Sequence, residues 1–531
     1  MRTYGKDVEE AMLFPSHRTA KRCSEFMLSR DPNIKPFEVR IVDLVLDPKT
    51  NSDVLKKVHP TISAVLFLKQ YFPVAKQYWQ HSGNGVSSRR AEFSHKLLQE
   101  GLLVNKASIK PETADLSDFR KGPRRYNRCG SIDNTNKPAS LPNLSNEEDQ
   151  ESYQFVEERF GRNLNVAFLD NAKSAIRRRI AGSLQGDADL AKGFTASMDE
   201  SARGVSGLAE DDVYLYPCGM NAIFNAHQLL LETRGQMKSI CFGFPYIDTL
   251  KILQKFGPGC QFYGNGSSSD LDDLESRLKS GERFLALFME FPGNPLLKSP
   301  DLQRIRKLSL EYDFAIVIDE TIGNFVNVHV LPFADIVVSS LTKIFTGECN
   351  VMGGSGIFNP QGPYYRELKK TAGNVYEDNY WAEDVLFMER NSRDFVSRIA
   401  RINHNAEVIC EVLSAHPSVK EVYYPKVVES RKFYDACRTP NGGYGGLLSV
   451  VFHTHEQAVA FFDKIDTAKG PSLGTNFTLT SPYVILAHYG ELEWAKQFGV
   501  DPDLVRISVG LEETEELKRV FEDGLKAAEE V

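Results

Sequence analysis

The chain has 531 residues, 42% hydrophobic and 25% charged, enough for a large core spread over roughly two to four domains. A formal net charge of -8, from 63 basic and 71 acidic residues, gives no global pull toward nucleic acid. No apolar run is long enough to span a bilayer, and the start MRTYGKDVEEAML lacks a hydrophobic signal core, so a cytoplasmic location is expected.

Residues 1–105 read as an ordered accessory region, with helix-like apolar spacing in TISAVLFLKQYFPVAKQYW and AEFSHKLLQEGLL. The charged HSGNGVSSRRAEF portion is expected to serve structure or assembly, with a catalytic-site rim as the second reading. From 106 to 154 the text turns basic and then rich in Asn, Ser, Pro and Glu, without apolar periodicity, and reads as a mobile connector.

Order is expected to resume at VEERFGRNLNVAFLDNAKSAIRRRIAG, where Val166, Leu169 and Ile176 suit a helix. In YLYPCGMNAIFNAHQLLLE a short hydrophobic run meets an amphipathic helix through Cys218, Gly219 and Met220. That junction fits an anion site, because the first helical amides lack partners and glycine permits close backbone approach. Strand-like and helix-like pieces then alternate from KSICFGFPY to DIVVSS, which predicts a mainly parallel sheet covered by helices, with ligand loops at the strand ends. Three of those ends carry distinctive groups: Phe244, Pro245 and Tyr246; Glu290, Asn294 and Pro295; Asp319, Glu320 and Thr321.

The fourth is ADIVVSSLTKIFTGECNVMGG, where β-branched residues give way to Ser340, Thr342, Lys343 and glycines, as a buried parallel strand does on emerging at an active-site edge. Beyond about Glu377 a strongly helical stretch leads out of this domain. The pieces VKEVYYP, GGLLSVVFHT, EQAVAFFDKI, LVRISVG and TEELKRVFEDGLKAA describe a smaller α+β domain. The expected division is a large domain over 155–385, then a connecting helix and small C-terminal domain over 386–531.

The eight cysteines, Cys23, Cys129, Cys218, Cys241, Cys260, Cys349, Cys410 and Cys437, are scattered without metal-like spacing. They are read as reduced. The eleven histidines form no local ligand cluster, so no metal is expected.

These strand ends together match one cofactor chemistry. A pyridine-phosphate aldehyde needs an amine to attach to, an acid near its ring nitrogen, a stacking group and donors for its phosphate. Lys343 offers the amine, Asp319 the acid, Tyr246 the aromatic face, and Ser340, Thr342 and the Gly219 and Met220 backbones the donors.

From about residue 150 to the end, the order of motifs resembles the cystathionine gamma-synthase group of the Cys/Met-metabolism pyridoxal-phosphate enzymes, in the longer fungal form with an extra N-terminal region. The resemblance implies a fold-type I transferase. In that family the serine, threonine and lysine of an SxTK segment bind phosphate and cofactor, here Ser340, Thr342 and Lys343. Its Gly-Met pair is similar to Gly219 and Met220, its stacking tyrosine to Tyr246, and its ring-nitrogen aspartate to Asp319. The Glu-x-Pro-x-Asn-Pro segment appears as Glu290 to Pro295, with Asn294 expected at the ring hydroxyl. Ser472 of PSLG and Arg506 of LVRISVG match residues that orient the substrate carboxylate.

Three departures stand out. The family's Tyr-x-Arg-x-x-Asn segment, which reaches a neighbouring subunit's phosphate, is Phe160 to Asn165 here, keeping Arg162 and losing the tyrosine. Cys218 replaces a serine common in relatives. The acid that often follows SLG is absent, with Asn476 and Phe477 in its place. The resemblance implies γ-replacement: an O-acylhomoserine, acetylated or succinylated, loses its acyl group from Cγ while Lys343 moves protons among its carbons, and cysteine sulfur adds to give cystathionine. It also implies a homodimer or homotetramer with shared active sites. Sulfide, water, or a carbon or nitrogen nucleophile in place of cysteine, and a non-catalytic scaffold, are the competing readings.

Overall fold

The computed structural model describes residues 4–109, 168–184 and 203–531. The expected connector, from residue 110 onward, and the segment holding Phe160, Arg162 and Val166 lie outside these residues.

A seven-stranded sheet organises the middle of the chain, in the order Val213–Tyr216, Gly354–Phe358, Ile336–Ser340, Ala315–Asp319, Ala286–Glu290, Ser239–Phe242, Cys260–Tyr263. Gly354–Phe358 runs antiparallel to both its neighbours, and the other strands share one direction. The β-branched runs AIVID and IVVSS are buried until their last residues, because helices cover both faces of the sheet. Alternation along each strand then feeds two cores. Leu287, Met289, Ile316, Ile318 and Val337 enter one, whereas Phe288, Ala315, Val317, Ile336 and Val338 enter the other.

Each core is shared with another part of the chain. The first continues into the C-terminal part through Ile399, Val450, Phe461 and Phe521. There a five-stranded sheet, ordered Val419–Tyr423, Leu447–Phe452, Val505–Ser508, Leu479–Pro482, Ala468–Lys469, packs with helices Phe395–Ser414, His455–Lys464 and Thr514–Glu529. The second core takes in Phe14, Cys23, Phe26 and Tyr78 from the N-terminal region beside Phe224 and Leu253.

That N-terminal region is a four-stranded antiparallel sheet, ordered Glu9–Phe14, Ile62–Leu68, Val39–Leu46, Leu103–Asn105, with helices His17–Arg30, Phe72–Ser82 and Ser88–Gln99. The expected helical reading of TISAVLFL is corrected here. Ile62–Leu68 is an inner strand flanked on both sides, and all but its last residue are buried. A strand buried on both faces loses the polar alternation that separates it from a buried helix. The helix begins only at Phe72, where Pro73 fits the first turn.

Candidate active site

Three parallel strands deliver the first groups side by side. Register pairs Glu290 with Asp319 and Asp319 with Val338, two residues before Ser340. Asp319 Oδ1 accepts from the backbone N–H of Thr321 at 2.9 Å and from its hydroxyl, while Thr321 Oγ1 accepts the Ser340 N–H at 2.8 Å. Thr321 therefore ties two strand ends together and leaves Asp319 Oδ2 without a donor among the described residues. Burial raises the Asp319 carboxyl, and the two Thr321 bonds oppose that rise.

The next strand end holds Glu290, whose oxygens accept from the N–H groups of Tyr246 and, at 3.0 Å, of Asn294. Burial and the neighbouring Asp319 push Glu290 up to about 8. Tyr246 is 44% exposed and so presents an open aromatic face.

The helix Gly219–Arg234 starts against this edge. A Cβ on Gly219 would lie 2.7 Å from Ser340 Cβ, so only glycine lets the helix approach the strand end so closely. No side chain caps this helix by hydrogen bond, and among the described residues no oxygen accepts from the Gly219 or Met220 amides. The Cys218 sulfur, a weak acceptor, faces the Met220 and Asn221 amides. An oxyanion at this helix start would meet amide donors that no oxygen among the described residues occupies, and the positive end of the helix dipole.

Lys343 follows the strand ending at Ser340, and its Nζ donates to Ser472 Oγ at 3.0 Å. Burial first, and then the Arg506 charge, lower its affinity for a proton, which favours a nucleophilic neutral amine. The Thr342 hydroxyl bridges the C=O and N–H of Gly353 at 3.3 and 3.1 Å.

Arg506 comes from the small-domain strand Val505–Ser508. Its Nη2 donates to the Pro471 and Ser472 carbonyls at 2.6 and 2.8 Å, its Nη1 to Asn294 Oδ1 at 3.1 Å, and its guanidinium stacks 4.3 Å from the Tyr483 ring centroid. Asn294 Nδ2 donates in turn to the Tyr483 hydroxyl at 3.0 Å. Arg506 is 3% exposed, and burial lowers it to about 10. Among the described residues no carboxylate pairs with it. A buried guanidinium without a counterion is costly unless an anion completes the site.

The chain thus brings Gly219, Met220, Tyr246, Asn294, Asp319, Ser340, Thr342, Lys343, Ser472 and Arg506 into one connected site, while Arg162 lies outside the described residues. Sequence reading marked Thr321 only as a strand-end group, not as the link between Asp319 and Ser340, and it missed Tyr483, which shows no motif of its own. It also missed Glu348. Its carboxylate accepts from Asn476 Nδ2 at 2.9 Å, so an acid reaches in space the place where SLG lacks one in sequence.

The donor set fits pyridoxal phosphate: a carboxylate oxygen without a donor among the described residues for the ring nitrogen, helix-start amides that no oxygen among those residues occupies for the phosphate, a buried amine for the aldehyde. Fold and site together define a fold-type I pyridoxal-phosphate enzyme. The model of the Cys/Met metabolism PLP-dependent enzymes matches residues 205–526, and that of the fungal trans-sulfuration enzyme N-terminal domain matches residues 1–87. Cystathionine gamma-synthase of Neurospora crassa is 57% identical, over 98% of this chain and 87% of that protein. A cystathionine gamma-synthase-like enzyme of Amanita muscaria, iboG2, is 42% identical over 99% of this chain and 87% of its own length. Among solved structures, cystathionine gamma synthase from Xanthomonas oryzae pv. oryzae shares the fold with a TM-score of 0.54 at 22% identity, covering 67% of this chain and 98% of that one. The chain belongs to the Cys/Met metabolism PLP-dependent enzyme family.

Proposed function

We propose that this protein is a cystathionine gamma-synthase, replacing the γ-acyl group of an O-acylhomoserine with the sulfur of cysteine. The observation that carries the reading is Arg506, a buried cation without a carboxylate partner, held beside the Ser472 loop that Lys343 touches. It suits the α-carboxylate of an amino acid, and the identity to the Neurospora crassa enzyme supports the particular reaction.

Bound pyridoxal phosphate supplies an electron sink for negative charge developing on the substrate. Gly219, Met220, Ser340 and Thr342 would hold its phosphate, Asp319 the proton on its ring nitrogen, Asn294 its hydroxyl and Tyr246 its ring face. Arg506 and Ser472 orient the substrate carboxylate. Lys343, which burial and Arg506 bias toward the neutral amine, takes the α-proton and carries protons between the substrate carbons. The Cγ–O bond breaks and the acyl group departs as its carboxylate. The Cγ–S bond forms as the cysteine thiol gives up its proton, so atoms and charge balance.

O-acetylhomoserine is the donor we favour, in a cytoplasmic enzyme working as a homodimer or homotetramer in which Arg162 reaches a neighbouring subunit's cofactor phosphate. Incubating the purified protein with O-acetylhomoserine and competing cysteine and sulfide, with the products identified, tests the reading. Cystathionine is expected, and its absence beside homocysteine or α-ketobutyrate would overturn it. Lys343→Ala should abolish the visible absorbance of lysine-bound cofactor.

A further inference from the structure

The N-terminal domain touches the site from behind. Helix Phe72–Ser82 ends at Gly83, whose φ of +60° closes it in the left-handed conformation. The turn Ser82, Gly83, Asn84 lies directly on the first turn of the Gly219–Arg234 helix. Asn221 Nδ2 donates to the Ser82 carbonyl at 2.9 Å and to Asn84 Oδ1 at 2.7 Å, and the Cys218 thiol donates to the Gly83 carbonyl at 3.6 Å. Asn84 is fixed in turn by donating to the Tyr78 hydroxyl at 2.9 Å. Ser82, Asn84 and Asn221 are all buried. A Cβ on Gly83 would stand 2.6 Å from Cys218 Sγ and 2.7 Å from the Asn221 nitrogen, so the turn leaves no slack.

The same helix end reaches the Tyr246 loop. Gln80 Nε2 donates to Asp248 Oδ1 at 3.2 Å, and His81 Nδ1 lies 3.0 Å from the same oxygen. The first turn of the Gly219–Arg234 helix is thus clamped between Ser340 on one side and this N-terminal turn on the other.

We propose that the N-terminal domain completes the cofactor site, with Asn84 and Asn221 as positioning residues that hold the Gly219 and Met220 amides where the cofactor phosphate binds. This rests on the functional reading above. Neither side chain is asked to touch the cofactor. Cutting the Asn84–Asn221 contact frees the helix start to drift from Ser340, and the penalty falls on the phosphate rather than on the ring or on Lys343.

Titration of the full-length apoprotein with pyridoxal phosphate and with pyridoxal, read by visible absorbance, separates these parts. Asn84→Ala and Asn221→Ala should each weaken pyridoxal phosphate about tenfold, the scale of one lost buried hydrogen bond, and leave pyridoxal within about twofold. Asn84→Asp should restore affinity, since a carboxylate still accepts from Asn221 and the Tyr78 hydroxyl can turn to donate. Arg18→Ala removes a domain contact to the Asn374 carbonyl that involves none of these residues, and should bind as wild type does. Should Asn84→Ala not fold, Asn221→Ala cuts the same contact from the other side. Equal weakening of both ligands, or unchanged affinity for pyridoxal phosphate in the alanine variants, would overturn the inference. Failure of the wild type to bind pyridoxal phosphate would remove the functional reading itself.

Discussion

Replacing Arg506 tests the functional reading at its most exposed point. Three of the five guanidinium N–H groups are committed, to Pro471, Ser472 and Asn294, which leaves two for a ligand. If a substrate carboxylate is their partner, removing the cation leaves that carboxylate buried without a counter-charge. Truncating one side of a buried charged pair costs about 2–5 kcal/mol, or roughly 30-fold to several thousand-fold in kcat/KM. Arg506→Met keeps bulk over Tyr483 and should fall in that range for O-acetylhomoserine. Stability should move much less, because about 1 kcal/mol for each of three lost hydrogen bonds is offset by removing an uncompensated buried charge. Arg506→Lys keeps the charge, loses the planar fork, and should lie between. The decisive assay compares O-acetylhomoserine with its carboxamide: wild type should discriminate strongly and Arg506→Met hardly at all. A variant within about threefold of wild type, or one that keeps the discrimination, refutes the assignment.

Other consequences follow from the same network. Asp319→Asn keeps an oxygen for Thr321 but removes the charge facing the ring nitrogen; turnover should drop about 100-fold or more, with cofactor still bound by absorbance. The strand end bearing Asp319 is anchored by its neighbour Glu320, fully buried against Arg203, which also donates to the Ile180 carbonyl at 2.7 Å. Arg203→Met should lower stability in urea by about 3–5 kcal/mol, and Arg203→Met with Glu320→Leu should recover most of it. Glu290 gives a pH signature. Its folded value of about 8 lies above its ordinary 4.5, so the folded apoprotein holds a proton that the unfolded chain releases. That contribution is complete below about 4.5 and is lost as pH rises through about 8, so apoprotein melting temperature should fall across this window and Glu290→Gln should flatten the fall.

Much of this site was legible because its groups sit where the text changes character. The runs AIVID and DIVVSS announce strands, and Asp319, Ser340 and Lys343 stand where the apolar residues stop. Gly219 and Met220 were marked by the glycine at a helix start. What the text hid are contacts made across long stretches of chain. Asn84 meets Asn221 across 137 residues, and Glu348 meets Asn476 across 128. No local period encodes either. Ile62–Leu68 misled for a different reason, since burial on both faces erased the alternation that reports a strand.

The sheet order explains why the readable groups converge at all. Successive crossover connections set the carboxyl ends of Ala286–Glu290, Ala315–Asp319 and Ile336–Ser340 side by side, so two acids and the lysine segment meet without further instruction. Close spacing has a price. Asp319 raises the proton affinity of the buried Glu290 beside it, and Arg506 opposes the charge on Lys343. Each of these tensions is eased by the ligand assigned to it: a protonated ring nitrogen at Asp319, a carboxylate at Arg506. The apoprotein therefore carries unmet charges at the strand ends, and occupancy of the site should stabilise the fold as well as enable the chemistry.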